Sequence, residues 1–194
     1  GGAVANDVHG KNHHGAGTFG HHVRALELLR SDGSRRLCSP TENSHWFAAT
    51  LGGLGLTGLI TWVEVQLRPI TGPWIQAESR RFTDLGDFFR QAEATDLNSE
   101  FTVAWVDCAA RRSSLGRGIL LSGNFAPAAT VPSKGFSAHG RLNVPFTPPI
   151  SLVNWVSLNI FNALYYRKPS GTFLTHYAPF FHPLDSIGHW NRIY

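Results

Sequence analysis

The chain has 194 residues, 42% of them apolar and 15% charged, and its formal net charge is +4. This is the composition of a globular protein with room for one large domain or two small ones. No window approaches the roughly 18 consecutive apolar residues that a membrane span needs. The basic residues lie in scattered pairs without a nucleic-acid-binding motif, so we expect no nucleic-acid partner.

The opening segment, residues 1–23, contains six glycines and five of the ten histidines of the chain. Glycine at this density lets the backbone turn with positive φ and approach a ligand closely. Backbone N–H groups exposed in this way suit a phosphate or pyrophosphate. The segment therefore predicts an irregular cradle, without a helix, for a large phosphate-bearing cofactor. Because the chain starts inside this segment and without methionine, we expect it to be an internal part of a longer protein.

A β-hairpin is predicted after the opening segment. Residues 22–29 have the composition of a strand, and residues 36–38 form the expected return strand. Between them lies Asp32-Gly33, which is a strong signal for a tight hairpin turn.

A helix and a glycine-rich turn are predicted next. Ser39, Pro40 and Glu42 have the spacing of a capping box with proline at the first helical position, which predicts a helix to about residue 51. Residues 51–60 contain four glycines, and residues 63–67 alternate as a strand does. In a dinucleotide-binding loop the glycines follow a strand and open a helix. Here they follow a helix and open a strand, which excludes that class.

The composition changes at residues 70–73, where we place a boundary between domains 1–70 and 71–194. The second part is expected to be an α+β domain with a mainly antiparallel sheet. Residues 124–149 lack periodicity and are predicted to be a mobile loop. The predicted strands are residues 74–82, 101–108, 118–122 and 172–180, and the predicted helices are residues 85–94 and 151–166.

The cysteines and histidines indicate no disulfide framework and no metal site. Cys38 and Cys108 both lie in strand-like segments and are expected to be buried. No cysteine or carboxylate accompanies the histidines at the spacing of a zinc site. A histidine-rich metal-binding protein stays open as an alternative that elemental analysis would test. Nothing in the sequence pairs Asp107 with Asp185.

The opening segment carries Gly-Gly at residues 1–2 and Asp-Val-His-Gly at residues 7–10, and a Gly-Gly-Leu-Gly-Leu-Thr-Gly segment follows at residues 52–58. In this order these motifs resemble the flavin-binding domain of the vanillyl-alcohol-oxidase family, also called the PCMH type. Several further segments resemble an oxidase subgroup of this family that acts on polyprenyl-phosphate sugars. The resemblance covers essentially the whole chain. It implies an α+β fold, with the C-terminal part of a PCMH-type FAD-binding domain followed by part of an antiparallel-sheet substrate domain. The matching segments are residues 1–12, 20–23, 51–60, 104–107, 165–168 and 181–192.

The resemblance implies FAD as cofactor and His9 as the catalytic residue near the flavin ring. Asn6 and Phe181 differ from the cysteine and tyrosine of the subgroup, which leaves the substrate open. Phe181 and Leu184 would belong to a flexible lid. The implied cofactor residues are Gly1, Gly2, Asn6, Asp7, Val8, His9 and Ile60, and the implied substrate residues are Lys11, Trp105, Phe181 and Leu184.

The implied reaction removes a hydride from a sugar carbinol carbon, giving a ketone and reduced flavin. The implied substrate carbon is C2 of a polyprenylphosphoryl ribose, in the synthesis of an arabinose donor for cell walls. A partner reductase would complete the epimerisation, and the protein would be cytoplasmic or in peripheral contact with a membrane. A sugar-lactone or alditol oxidase and a non-catalytic flavin-fold domain are the alternatives.

The family's flavin site also implies a limit on what this chain does alone. By the resemblance, the pyrophosphate loop precedes Gly1, and further catalytic side chains follow Tyr194. We therefore expect the 194-residue chain by itself to be inactive and to lack FAD.

Overall fold

The computed structural model describes residues 1–96, 98–128, 142–149, 151–183 and 187–193. It divides the chain into two compact units, Gly1–Pro69 and Ile70–Tyr194. Both units combine short helices with antiparallel sheet, so the expected mixed α+β class is confirmed at this level. None of the helices in the described ranges has the length and apolar character needed to cross a membrane.

The first unit is built on a three-stranded antiparallel sheet with the order β2-β1-β3. The hairpin between β1 and β2 turns at Gly33, whose φ of 81° is readily adopted only by glycine. The Asp32 carboxylate accepts the N–H of Ser34 at 2.8 Å and fixes this turn. The strands are β1 (Val23–Leu29), β2 (Arg35–Cys38) and β3 (Leu59–Val65).

Two short helices contribute Val4 and Phe47 to the first core. Leu26, Leu28 and Cys38 are fully buried and pack with Val4 and Phe47 from the helices. The helices are α1 (Gly2–Ala5), α2 (His13–Ala16) and α3 (Ser44–Thr50), and a 3-10 helix spans Phe19–His22. The prediction of an opening segment without helix was therefore wrong, because single helical turns form there and include Gly2, Gly15 and Gly20.

The predicted start of α3 was also wrong. Ser39 does not cap a helix, because its Oγ accepts the N–H groups of Thr41 and Glu42 inside a closed turn. The N–H of Ser39 donates to the carbonyl of Glu42 at 2.8 Å, which completes that turn. The helix begins after Asn43 instead, which has a left-handed φ of 46°.

The second unit contains a four-stranded antiparallel sheet with the order β5-β6-β4-β8. Ile75 and Ala77 of the central strand β4 are buried, and Gln76 between them is exposed on the other face. Helix α4 lies against the sheet with the ring of Phe88 5.2 Å from that of Phe82. The elements are β4 (Trp74–Phe82), α4 (Leu85–Asp96), β5 (Phe101–Val106), β6 (Gly118–Phe125) and β8 (Gly171–His176).

The rest of the second unit adds two helices and a small parallel pair. Helix α5 (Trp155–Tyr166) begins at Asn154, whose side chain accepts the N–H groups of Val156 and Ser157. Strand β7 (Leu142–Asn143) pairs in parallel with β9 (Ile187–Gly188). Residues 129–141, half of the predicted mobile loop 124–149, lie outside the described residues.

Two further predictions for the second unit need correction. The predicted strand over residues 172–180 ends at His176, because this side chain accepts the N–H of Ala178 and caps helix α6 (Tyr177–Phe181). Cys108 is exposed rather than buried, because it lies in the turn after β5, whereas Cys38 is buried as expected.

Candidate functional site

In the first unit the glycine turn, residues 52–58, lies against the C-terminal end of α1. The carbonyl of Val4 accepts the N–H of Gly52 at 3.0 Å, and the carbonyl of Ala5 accepts the N–H of Leu54 at 2.7 Å. Both carbonyls belong to the last turn of α1, and that of Val4 also accepts the N–H of Asp7 at 3.0 Å. Main-chain hydrogen bonds between residues 48 and 49 positions apart therefore join the two glycine-rich parts of the sequence.

Some glycines in this turn are required by the fold itself. A Cβ at Gly58 would lie 2.6 Å from the carbonyl oxygen of Leu29, and the φ of Gly58 is +145°. A Cβ at Gly53 would lie 2.1 Å from the carbonyl oxygen of Ala49. At these two positions any side chain would push the turn away from its neighbours.

Other glycines leave open space beside the backbone. A Cβ added at Gly1, Gly2 or Gly55 would meet no protein atom within 4 Å. A hollow of about 370 Å³ opens at this place and is mostly apolar, and its lining residues are Gly1, Ala5, Gly55, Gly58, Leu59 and Ile60. Bare main chain on the wall of a hollow admits a flat or extended ligand at close range. This geometry fits part of a dinucleotide cofactor such as FAD.

Asp7 fixes the loop between α1 and the 3-10 helix. Its Oδ1 accepts the N–H of Gly20 at 2.7 Å, and its Oδ2 accepts the hydroxyl of Thr18 at 2.8 Å. Its own φ is 42°, a left-handed value that aspartate and asparagine tolerate better than most residues. Both carboxylate oxygens of Asp7 are therefore used inside the first unit, and the predicted contact with a cofactor stays a prediction.

The neighbouring predicted residues are exposed. The Asn6 amide donates to the carbonyl of Gly2 at 2.9 Å, and 43% of Val8 is accessible. The backbone of His9 forms a bridge with Thr18, and its imidazole is exposed with Nδ1 3.3 Å from the carbonyl oxygen of Gly10. The structure thus places Asn6, Val8 and His9 on an open surface, where a ligand has access to them.

The histidines of the opening segment lie near one another without forming a metal-binding cluster. The rings of His9 and His13 are 4.9 Å apart, and those of His13 and His14 are 6.0 Å apart. His21 instead binds the turn at Thr18, whose N–H donates to its Nδ1 at 3.3 Å. Within the described part of the chain no three histidine, cysteine or acidic residues are placed to hold a metal ion.

Lys11, predicted to contact substrate, lies on the loop between α1 and α2. The side chain is half-buried, and this burial lowers the pKa of its amine from the ordinary value for lysine. A lysine with reduced hydration releases less water when it binds a phosphate.

The second unit has its own cleft, of about 670 Å³, beside the edge strand β8. Tyr165 and Lys168 stand on one side of it and Phe180 on another, and its floor is formed by the sheet. The Lys168 amine lies 4.0 Å from the centre of the Tyr165 ring, and burial raises the pKa of the Tyr165 hydroxyl. The remaining lining residues are Ser79, Ile119, Leu121, Pro169, Ser170, Gly171, Thr172, Phe173, Thr175, Pro179 and Pro183.

Two of the predicted substrate residues lie next to this cleft rather than in its wall. The ring of Trp105 is 4.8 Å from that of Tyr165, which lines the cleft. Phe181 packs on Phe101 at 5.0 Å, and its neighbour Phe180 lines the cleft. Leu184, the fourth predicted residue, lies outside the described residues.

A buried ion pair in the second unit was missed in the sequence. Asp107 is 3% exposed, and one of its oxygens accepts the Nε and Nη2 of Arg117 at 3.0 and 2.8 Å. The other oxygen accepts the Asn162 amide at 2.7 Å. The hairpin register could have revealed the first contact, because the N–H of Asp107 donates to the carbonyl of Arg117. Asn162 is 55 residues away, and no local pattern indicates it.

Bare glycine backbone lines a hollow in the first unit, and the comparisons with known proteins show which proteins this chain is similar to. No protein-family model matches the chain. The chain is 36% identical over its whole length to decaprenylphosphoryl-beta-D-ribose oxidase of Mycolicibacterium smegmatis and covers 44% of that protein. The recognition of an FAD-linked oxidase from the sequence is therefore confirmed.

Two further relatives match parts of the chain. An uncharacterized protein in the mprA 5' region of Streptomyces coelicolor is 40% identical over 157 residues, which cover 79% of this chain and 42% of that protein. Cytokinin dehydrogenase 9 of Oryza sativa is 45% identical over 47 residues, or 24% of this chain and 9% of that protein. The chain spans less than half the length of each of these relatives.

Proposed function

We propose that the full-length gene product is an FAD-dependent oxidoreductase that oxidises a sugar carbinol, at C2 of a polyprenylphosphoryl ribose. The main support is the 36% identity to an oxidase named for that substrate, which extends over the whole chain. The first unit then corresponds to the C-terminal part of a PCMH-type FAD-binding domain, and the second to part of the substrate domain. The 194-residue chain alone is expected to release FAD and to be inactive.

The first unit would hold FAD mainly through its main chain. Gly1, Gly2 and Gly55 leave the backbone bare, and Ile60 lines the same hollow. Asn6, Asp7, Val8 and His9 continue this surface from the end of α1, with Asp7 fixing the shape of the loop. When bound, FAD supplies the acceptor for the hydride, and the protein's task is to orient the carbinol and manage its proton.

We propose that His9 accepts the proton of the substrate hydroxyl. Its imidazole is exposed, and the bridge between its backbone and Thr18 fixes the position of the residue. A ring nitrogen of an imidazole can act as a general base and accept this proton as the carbon–hydrogen bond breaks. Of the predicted cofactor residues, only His9 carries such a group.

The predicted substrate residues divide between the two units. We assign Lys11, in the first unit, to the substrate phosphate, because a lysine amine makes charge-assisted hydrogen bonds with phosphate oxygens. We assign Trp105, Phe181 and Leu184, in the second unit, to the apolar side of the substrate. The keto product of this reaction requires a separate reductase to complete an epimerisation, and a lipid-linked substrate requires contact with a membrane surface.

The experiment compares three forms of the full-length gene product: wild type, His9→Gln and Lys11→Met. The flavin content is read from the absorbance spectrum, and turnover is measured with polyprenylphosphoryl ribose and with the free sugar. We expect His9→Gln to keep its flavin and lose about 100-fold or more in kcat. Lys11→Met should raise KM for the phosphorylated substrate, with a much smaller effect on the free sugar.

Two results would contradict this assignment. Unchanged turnover in His9→Gln would remove His9 from catalysis. Turnover of a sugar lactone or an alditol, with no turnover of polyprenylphosphoryl ribose, would support an oxidoreductase but contradict the proposed substrate.

A further inference from the structure

Helix α5 exposes its apolar face. Val156, Ile160, Phe161 and Leu164 are 56, 57, 57 and 62% accessible. At 100° per residue these four side chains lie on one face of the helix. A surface helix of a globular protein normally turns such a face toward the core.

The opposite face of α5, which contacts the body of the second unit, is polar and aromatic. The Asn162 amide donates to the buried carboxylate of Asp107 at 2.7 Å. The Tyr166 hydroxyl donates to the carbonyl of Phe82 at 3.3 Å, and the guanidinium of Arg117 lies 4.8 Å from the Tyr166 ring. These contacts fix the rotation of α5 about its axis, so the apolar face points outward as a consequence of the packing.

The exposed apolar surface continues before the helix. Leu152, Val153 and Trp155 are 52, 45 and 64% accessible and directly precede or begin α5. Residues 151–166 contain no charged side chain. Exposed apolar side chains in this number mark a site of association rather than ordinary protein surface.

Two cationic residues, Arg167 and Lys168, directly follow the apolar helix, and both are exposed. A cationic rim beside an apolar helix complements an anionic lipid bilayer, which offers acyl chains and negative headgroups together.

We propose that α5 is an interfacial helix that binds this protein to the surface of an anionic membrane. At 12 residues it is too short to span a bilayer. It would lie in the plane of the membrane with Val156, Ile160, Phe161 and Leu164 among the acyl chains and Arg167 and Lys168 at the headgroups. The proposal rests on the geometry and charge of the second unit and holds whatever the substrate is.

The test measures co-sedimentation of the full-length gene product with vesicles of phosphatidylcholine and phosphatidylglycerol. We expect binding that weakens with added salt and with vesicles of phosphatidylcholine alone. The double variant Ile160→Gln/Leu164→Gln should bind roughly tenfold or more weakly. Phe161→Gln should also weaken binding, whereas Phe89→Gln should not, because Phe89 is similarly exposed at 60% but lies on α4 beside acidic residues.

Thermal unfolding and light scattering distinguish membrane binding from coverage of this face by another protein surface. If a second copy or another part of the protein covers it, the double variant would lower the unfolding temperature or dissociate an oligomer without affecting vesicles. Either of those results, or equal vesicle binding by wild type and the double variant, would overturn the proposal.

Discussion

The glycine turn of the first unit and helix α5 of the second unit are fixed in position by different kinds of contact. In the first unit the glycine turn is held by main-chain hydrogen bonds to α1, and the one carboxylate involved, Asp7, binds a backbone N–H and a hydroxyl. In the second unit α5 is held by side chains, and Asp107 forms a buried ion pair with Arg117. The first arrangement leaves backbone available to a ligand. The second uses charge to orient a helix whose outer face is apolar.

This difference predicts that the Asp107 carboxylate of the second unit contributes more to the free energy of unfolding than the Asp7 carboxylate of the first unit. Removing Asp107 leaves the guanidinium of Arg117 without its charged partner and breaks the contact with Asn162. We expect Asp107→Ala to lower the free energy of unfolding by about 3–5 kcal/mol. Urea unfolding followed by circular dichroism measures this loss. Asn162→Ala, which leaves the ion pair in place, should cost about 1 kcal/mol, and an equal loss in both variants would contradict the dominant role of the ion pair.

The glycine turn should be sensitive at Gly58 and less so at Gly55. In Gly58→Ala the new Cβ meets the carbonyl of Leu29 in a backbone conformation that alanine disfavours, and we expect a loss of about 3 kcal/mol. In Gly55→Ala only the positive φ of 78° is unfavourable, at a cost of about 1 kcal/mol. Flavin retention in the full-length protein should fall in Gly55→Ala despite the smaller loss of stability. A Gly55→Ala protein with full flavin would show that the hollow is not a cofactor site.

Asp7 should respond to the loss of hydrogen bonding rather than to the loss of charge. Asp7→Asn keeps the left-handed φ and an oxygen for the Gly20 N–H, so we expect its stability to change by less than about 1 kcal/mol. Asp7→Ala loses both hydrogen bonds and should cost about 2 kcal/mol. Thermal unfolding of the two variants under identical conditions provides the comparison. Equal losses in both would show that the negative charge itself is required.

The smallest expected effect is a pH dependence at His176. Burial lowers the pKa of this imidazole in the folded protein, and its Nδ1 accepts the N–H of Ala178 at the start of α6. As the pH falls below about 6.5, the ordinary value for histidine, the unfolded chain binds a proton that the folded protein resists. The contribution of His176 to the free energy of unfolding is therefore fully present above that pH and is progressively lost below it.

His176→Asn provides the control for this pH dependence, because asparagine can cap the helix and does not titrate. We expect the unfolding temperature of the wild type to fall more between pH 7.5 and 5.5 than that of the variant. Parallel curves would exclude His176 as the cause.

The sheets could be predicted from the sequence because their signals are local. The Asp32-Gly33 turn and the strand-like residues of β1 and β4 anticipated the observed strands. The helix boundaries could not be predicted as well, because Ser39 and His176 each bind nearby N–H groups in a way that composition does not distinguish. Ser39 closes a turn where a helix was expected, and His176 starts a helix where a strand was expected.

The candidate site, like the fold, could be predicted from the sequence only in part. The glycines and His9 were predicted as site residues because a recognisable motif carries them, and their roles stay predictions. The structural use of Asp7 and the outward face of α5 could not be foreseen, because each depends on partners distant in sequence. The Asn162–Asp107 contact, which joins residues 55 apart, decides which side of α5 faces outward.

The measurement that tests the central claim most directly is the absorbance spectrum of the purified full-length gene product, followed by anaerobic addition of polyprenylphosphoryl ribose. The proposal predicts a flavin spectrum that bleaches as the cofactor is reduced. A flavin spectrum that does not change would retain the class and reject the substrate. A protein without flavin, when purified under conditions that retain bound FAD, would contradict the proposed oxidoreductase and favour a non-catalytic domain with the same fold.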